Sequence, residues 1–371
     1  MKITVATPLY PPEIGGPATY SALLEKKLPL KGVEVLTVKF SDFRHLSKIF
    51  GRLKYTWALF KSARQSDVVY ALDPVSVGLP AMLASILAGR PLVVKVVGDY
   101  AWEQGRQRFG VKADLDKFIN HWFCYGFRVY FFKLIQTIVV WSARSVVVPS
   151  AYLGQVVAKW GIKPIRLKVI YNAFNAQIEV KSKEGLRAKF GHEGFVVVTA
   201  CRLVPWKGVD GLIEAVVTLK NILPDIFLVV AGDGPERDRL ERLVADAGAG
   251  SYIRFTGQLE RAKLFEYIRL ADLFVLNSEY EGLSHQLLEV MALETPIVAT
   301  DIGGNPEVIT TGETGILISP RANNELQAAI MWLAKSSVER NKLALAAKVS
   351  LSRFDEKIMV SNLVNHLNSL L

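Results

Sequence analysis

Cysteine is scarce in this 371-residue chain: Cys124 and Cys201 are the only two, and they lie far apart. They form neither a disulfide framework nor a metal-ligand spacing, so a reducing compartment is the default. Long uncharged apolar runs are also missing. The best candidate, Phe123 to Trp141, is interrupted by Arg128 and Lys133, which argues against a spanning helix. The opening stretch Met1-Lys2-Ile3-Thr4-Val5-Ala6 runs straight into Pro8, Pro11 and Pro12, too soon to read as a signal peptide. Short-period repeats and low-complexity tracts are absent. Acidic residues are scarce in one half only. Residues 1–175 hold 24 Lys and Arg against 10 Asp and Glu, a net +14, whereas residues 176–371 hold 21 against 25, a net −4. All the excess positive charge therefore sits in the first half, which suits contact with a polyanion or an anionic membrane surface. No nucleic-acid-binding module accompanies it, so nucleic acid is not an expected partner.

What is present is ordinary globular material, 50% hydrophobic and 22% charged, long enough for two compact domains. Short β-branched runs alternate with longer amphipathic segments. In the first half, Lys2–Thr7, Val33–Phe40, Asp67–Tyr70, Pro91–Val97 and Ser145–Pro149 read as buried strands, with a helix over Thr19–Leu30 among the segments between them. The pattern restarts with Phe195–Cys201, Ile226–Ala231, Tyr252–Thr256, Leu273–Asn277 and Pro296–Ala299. Such alternation predicts α/β architecture with two Rossmann-like parallel-sheet domains, joined in the polar stretch Asn172–Glu184 after a strand at Leu167–Tyr171. The expected division is 1–174, 175–352 and a last segment, 353–371, that crosses back to the first domain.

Ligands of open parallel sheets sit beyond the carboxyl ends of the strands, so the residues that follow each strand are the candidates. Arg202 and Lys207 follow the strand ending at Cys201; two cations there can hold a diphosphate and neutralise a leaving group, the alternative being a solvated surface pair. Ser278 through Glu289 follows the strand ending at Asn277. Gly282 permits a tight turn, and a helix starting near Leu283 and Ser284 would aim free N–H groups at a phosphate. Glu281 before that helix and Glu289 within it can address different parts of one ligand, a sugar and a ribose. Gly303-Gly304-Asn305-Pro306-Glu307 reads as another anion-binding helix start or as a plain turn. Gly15 and Gly16, after the first strand, leave the backbone open as a phosphate-cradling loop does, although the spacing is neither GxGxxG nor a P-loop. Asp99 stands where a first-domain catalytic group is expected; a capping Asp is the alternative.

One stretch points elsewhere. Leu46, Ile49, Phe50, Leu53, Trp57 and Phe60 fall near one helical face, among Arg44, Lys48, Arg52, Lys54, Lys61 and Arg64, with no acid between Asp42 and Asp67. Such a helix can lie in an anionic membrane interface, or it can be a core-packing helix with a solvated basic face. The aromatic and basic segment Lys117–Lys133 can add to it.

Taken in order, these motifs resemble the GT4 family of retaining GT-B glycosyltransferases. The resemblance covers nearly the whole chain and is strongest over Val198–Ile318. Its most specific part is the pair of glutamates Glu281 and Glu289, separated by seven residues. Cys201-Arg202-Leu203-Val204-Pro205-Trp206-Lys207-Gly208, Ala231-Gly232-Asp233-Gly234-Pro235-Glu236 and Gly303 through Glu307 match in order and spacing.

The resemblance implies a GT-B fold, two Rossmann-like domains facing each other across a cleft. It implies a metal-independent hexosyl transfer without a cofactor, from a nucleotide diphosphate sugar of UDP or GDP type. Arg202 and Lys207 would bind the diphosphate, Glu281 the transferring sugar and Glu289 the ribose. Backbone around Gly257, Gln258 and Leu259 would meet the base, and Gly16 would close over the diphosphate. The acceptor expected is a saccharide or lipid-linked saccharide in polysaccharide or glycolipid assembly, handled by a cytoplasmic enzyme peripheral on the inner membrane face. A GT-B-shaped epimerase and a non-catalytic sugar-nucleotide or membrane binder are the rival expectations. Three departures stand out: Gly98-Asp99 replaces a usual His, Ser284-His285 replaces small or apolar residues, and Glu294 stands where glycine is commoner.

Overall fold

In the computed structural model the strands carry β-branched runs with both faces covered, as parallel sheets require. The structure describes residues 1–13, 15–121, 123–174, 181–191 and 193–371, and all but the side chain of Lys48 among the expected membrane-facing residues. Part of the expected join, 175–180, and Ile14 of the Gly15–Gly16 loop lie outside the described residues. The chain divides into two compact units, Met1–Ala173 with Glu356–Leu371, and Phe174–Asp355.

The first unit runs β1 (Lys2–Thr7), α1 (Gly16–Lys27), β2 (Glu34–Lys39), α2 (Lys48–Ala63), β3 (Val68–Ala71), α3 (Gly78–Ala88), β4 (Leu92–Lys95), α4 (Tyr100–Arg108), α5 (Leu115–Asn120), α6 (Phe127–Ser142), β5 (Ser145–Val148), α7 (Ala151–Ala158) and β6 (Leu167–Val169). Its sheet has the order β2-β1-β3-β4-β5-β6, every pair parallel. The order reverses between β1 and β3, so a crevice opens beyond their carboxyl ends.

The second unit runs α8 (Lys183–Phe190), β7 (Phe195–Ala200), α9 (Val209–Leu219), β8 (Ile226–Ala231), α10 (Arg237–Asp246), β9 (Ile253–Gly257), α11 (Arg261–Leu270), β10 (Leu273–Leu276), α12 (His285–Ala292), β11 (Ile297–Thr300), β12 (Ile316–Ile318), α13 (Asn323–Lys335) and α14 (Ser337–Ser350). Its parallel sheet has the order β12-β11-β10-β7-β8-β9 and therefore switches direction between β7 and β10. Two apolar clusters cover its two faces, one built around Val198, Phe274 and Leu287, the other around Val197, Leu212 and Ile330.

The last helix, α15 (Glu356–Asn368), packs within the first unit. Met359, Val360, Leu363, Val364 and Leu367 join Ile3, Val5, Tyr70, Val93 and Val147 in one buried cluster. Polar contacts fix its register: Lys27 pairs with Glu356 at 2.5 Å, and Ser145 Oγ lies 2.8 Å from His366 Nε2.

One sequence expectation needs correction, and the departure at Glu294 finds its geometry. The stretch Asn305–Glu307 forms a single three-residue turn of 3-10 helix, so no α-helix N-terminus arises there. Glu294, in the turn between α12 and β11, holds φ +53°, the left-handed conformation that glycine adopts without strain. Its carboxylate is tied to Lys348 and lies 3.5 Å from Arg269.

Candidate functional site

The loops beyond β7, β10 and β11 of the second unit are locked together by backbone contacts. Gly208 holds φ +58°, and a Cβ there would strike the Asn277 carbonyl oxygen. Asn277 Nδ2 donates to the Gly208 carbonyl at 2.9 Å, so the end of β10 holds the turn that carries Lys207. Gly303, φ +59°, is pressed against the Glu281 carbonyl in the same way, and that carbonyl accepts from Gly304 N–H at 3.0 Å. The Gly303-Gly304 pair thus buttresses the Glu281 loop rather than starting a helix. Thr300 Oγ1 donates to the Ser278 carbonyl at 2.6 Å, tying β11 to the same loop.

Lys207 and Glu281 meet inside this frame. Lys207 Nζ donates to Glu281 Oε1 at 2.5 Å, and Ser278 Oγ donates to the same oxygen at 2.7 Å. Both charged side chains are largely withdrawn from solvent, 18% and 10% exposed. The nearby Cys201 thiol is pushed up to about 11 by burial; Lys207 and Glu281 act on it in opposite directions. Arg202 lies two residues beyond the end of β7 and is exposed. Among the described residues its guanidinium forms no ion pair, so it is available to an anion. The α12 helix begins just after Ser284, whose Oγ accepts from Leu287 N–H at 3.4 Å. The structure therefore brings Lys207, Glu281, Gly282, Leu283 and Ser284 to the carboxyl ends of β7 and β10, where the strand order switches.

Glu289 lies further along α12. Burial raises its carboxyl above the ordinary glutamate value, opposed by Arg261. Arg261 Nη2 sits 3.2 Å from Glu289 Oε1, and Gln286 Nε2 donates to Oε2 at 3.3 Å. Arg261 opens α11 after Gly257, Gln258, Leu259 and the capping position Glu260, so this contact links the Glu289 helix to the loop after β9. Sequence reasoning named both segments but not Arg261. It placed Ser278 at the head of the candidate stretch without giving it a role, and it missed the bidentate pair of Arg321 with Glu279, at 2.7 and 2.8 Å.

In the first unit, Gly15 precedes α1 and Gly16 opens it; a Cβ at Gly16 would meet nothing within 4 Å. The catalytic expectation for Asp99 is corrected. Its side chain is 0% exposed, and it caps α4 by accepting from Trp102 N–H at 3.0 Å and from Gln136 Nε2 at 3.1 Å. A carboxylate so placed orders a helix start from within the core, the capping alternative of the sequence reading.

The basic stretch resolves into a helix with two apolar faces. Tyr55, Leu59 and Ala63 of α2 are buried, whereas Ile49, Leu53 and Trp57 stand 77%, 63% and 58% exposed. Lys61 Nζ lies 3.5 Å over the Trp57 ring and Lys54 Nζ 4.7 Å over Phe50. Arg52 and Arg64 are exposed as well, while Arg44 is tied back to Glu13 and donates to the Pro8 carbonyl at 2.7 Å. Phe123, Phe127 and Phe131 of the second aromatic segment are exposed too. Its Lys133 is buried and donates to the Phe118 and His121 carbonyls at 2.8 and 3.0 Å, the end of α5. Among the described residues no helix is long and apolar enough to cross a membrane.

Comparison with known proteins adds to this geometry. The profile described as "Glycosyl transferases group 1" matches residues 182–349, and that described as "Glycosyl transferase 4-like domain" matches residues 4–173. The chain is 33% identical over 191 residues to an alpha-D-kanosaminyltransferase of Streptomyces kanamyceticus, spanning 50% of this chain and 49% of that protein. Over 130 residues it is 35% identical to a GDP-mannose-dependent alpha-(1-6)-phosphatidylinositol monomannoside mannosyltransferase of Mycolicibacterium smegmatis, spanning 33% of this chain and 34% of that one. The matched stretches thus span half or less of those relatives' lengths. Among solved structures, Anabaena Alr3699/HepE in complex with UDP-glucose shares the fold, with a TM-score of 0.79 and 22% identity over 100% of both chains.

Proposed function

Since the chain belongs to the GT4 family of GT-B glycosyltransferases, we propose that it transfers a sugar from a UDP- or GDP-type nucleotide sugar to a saccharide acceptor. The acceptor is lipid-linked, the anomeric configuration is retained, and the enzyme works as a peripheral protein on the cytoplasmic membrane face. The observation that carries this reading is the meeting of Lys207 and Glu281 at the switch point between β7 and β10.

In this mechanism the donor diphosphate sits against Arg202, Lys207 and the first N–H groups of α12. The bond from the anomeric carbon to the donor phosphate oxygen breaks. A bond from the acceptor oxygen forms on the same face, and the acceptor's proton passes to a phosphate oxygen. Charge grows on the leaving diphosphate in the transition state, so fixed cations accelerate the step. Glu281 exchanges part of its bond to Lys207 for hydroxyls of the transferring sugar. Glu289 accepts from the ribose hydroxyls while the loop at Gly257, Gln258 and Leu259 meets the base. No metal is called for, and transfer should persist in excess chelator.

Three findings support the finer points. The HepE neighbour is named with UDP-glucose, and the mycobacterial relative is named for a phosphatidylinositol-linked acceptor. The outward apolar and cationic face of α2 suits an anionic lipid surface. Donor hydrolysis screened over UDP- and GDP-sugars tests the transfer reading; no hydrolysis with any donor, with or without acceptor lipids, overturns it. Release of an altered free sugar without acceptor would mark an epimerase instead. Flotation with phosphatidylglycerol liposomes at low salt tests the membrane reading, which fails if the protein stays in the soluble fraction.

A further inference from the structure

The first unit contains a cavity of about 530 Å³ between α2, α3, α4 and α6. Its long wall is hydrocarbon: Leu53, Leu79, Leu83, Phe131, Phe132 and Ile135 line it. Its polar members are few, chiefly Arg52, Ser76 and Tyr100. A cavity of this size with an apolar wall and a few polar groups is typical of sites for small ligands.

Its place in the fold is equally specific. Phe40 follows β2, Val75 and Ser76 follow β3, and Tyr100 opens the helix after β4. The cavity therefore lies beyond the carboxyl ends of the strands, beside the β1–β3 switch point, where open parallel sheets bind ligands. It also continues onto the exposed apolar residues of α2 and α3, with Leu53 at 63% and Leu83 at 44% exposure.

We propose that this groove receives the hydrocarbon chain of a single phosphate-bearing lipid, with the lipid phosphate held at the Arg52 end. The inference rests on the lipid-linked acceptor reading above and names the site that would take that acceptor's chain. Charge decides the occupant. Arg52 is the cation that lines the cavity, and α2 also carries Lys54, Lys61 and Arg64, with no acid from residue 43 to residue 66. At the polar end Arg52, Ser76 and Tyr100 line the cavity together. Asp73 also faces Tyr100, but its Oδ1 is occupied by the backbone N–H groups of Val75, at 2.7 Å, and Ser76. A neutral apolar ligand would leave the Arg52 charge unmatched at the cavity wall; a phosphate monoester pairs with it by charge-assisted hydrogen bonds.

The test is calorimetric titration of the full chain with farnesyl phosphate below its micelle concentration, set against farnesol and inorganic phosphate. Saturable binding of farnesyl phosphate at one site, with farnesol and phosphate each at least about tenfold weaker, is expected. Leu83→Glu and Leu53→Glu should each weaken farnesyl phosphate about tenfold or more by placing a carboxylate against the chain. Arg52→Ala should bring farnesyl phosphate down toward farnesol. Farnesol binding as tightly as farnesyl phosphate, phosphate alone binding equally well, or both Glu variants binding like the parent would each overturn the proposal. Thermal melts check the fold; should Leu83→Glu unfold, Leu53→Glu carries the test from its more exposed position. Donor hydrolysis by the unaltered chain separates the two readings. Hydrolysis without farnesyl phosphate binding sinks the groove alone, and binding without hydrolysis of any donor sinks the transferase reading alone.

Discussion

Replacing Lys207 by Ala removes the cation that the proposed mechanism sets against the departing diphosphate. A single preorganised donor aimed at developing charge contributes about 2.7–4 kcal/mol, a factor of roughly 10²–10³ in rate. Stability should fall as well. The Lys207–Glu281 pair is only 18% and 10% exposed, so the variant leaves a mostly buried carboxylate with the Ser278 hydroxyl but without its cation. A loss of about 1–3 kcal/mol follows. Glu281→Gln separates the two effects, because it keeps the shape of the side chain while freeing Lys207 from its counter-charge. That variant should bind nucleoside diphosphate as tightly as the parent or up to about tenfold more tightly. Its transfer rate should nevertheless drop about 100-fold, since the contact to the sugar is weakened. Initial transfer rates with labelled donor, nucleoside diphosphate affinity by calorimetry and melting curves are the three measurements. A folded Lys207→Ala protein that transfers within about threefold of the parent refutes the reasoning, since one cation would then carry under 1 kcal/mol.

Three further outcomes are expected. Gly303→Ala should lower stability by about 1–3 kcal/mol and disturb transfer together, because its Cβ would strike the Glu281 carbonyl in a left-handed backbone; denaturant midpoints and rates check this. Glu289 releases its proton at higher pH in the folded chain than when unfolded, so between those two values the folded state holds the extra proton and stability falls as pH rises. Glu289→Gln should accordingly raise Tm at pH 8 relative to the parent more than at pH 4, while weakening donor binding; melts at both pH values decide. Glu294→Gly should stabilise the chain by roughly 1 kcal/mol by relieving φ +53°, against a smaller loss of partly exposed ion pairs, and a higher midpoint in urea would register it.

The sheets were legible because buried parallel strands are continuous β-branched runs. Lys2–Thr7 and Ile226–Ala231 coincide with the strands expected from sequence, and most others differ by one or two residues at an end. The short edge strand Ile316–Ile318 escaped notice, since three residues between a glycine turn and a proline carry no periodicity. The site residues that follow strands were readable by the carboxyl-end rule, which needs only the strand list. Contacts made across the sheet were not. Nothing local to Gly303 says that it presses on Glu281, and nothing local to Arg261 says that it reaches Glu289. Asp99 shows the opposite failure, since a polar residue after a strand can serve the next helix as well as a ligand. On α2 the apolar periodicity was visible, but only packing could tell which apolar face was inward, because Tyr55 and Leu59 took the core and left Trp57 outside.

The final helix sets the timetable of synthesis. Until residues 359–367 leave the ribosome, the sheet surface formed by Ile3, Val5, Tyr70 and Val93 is covered only in part, by Tyr20, Leu24 and Leu28, although those strands were made hundreds of residues earlier. The nascent amino-terminal half must therefore wait, partly finished and in reach of chaperones, while the intervening unit is translated. A truncation just after Asp355 would strand it in that state, and a fragment ending at Ala173 would begin life there.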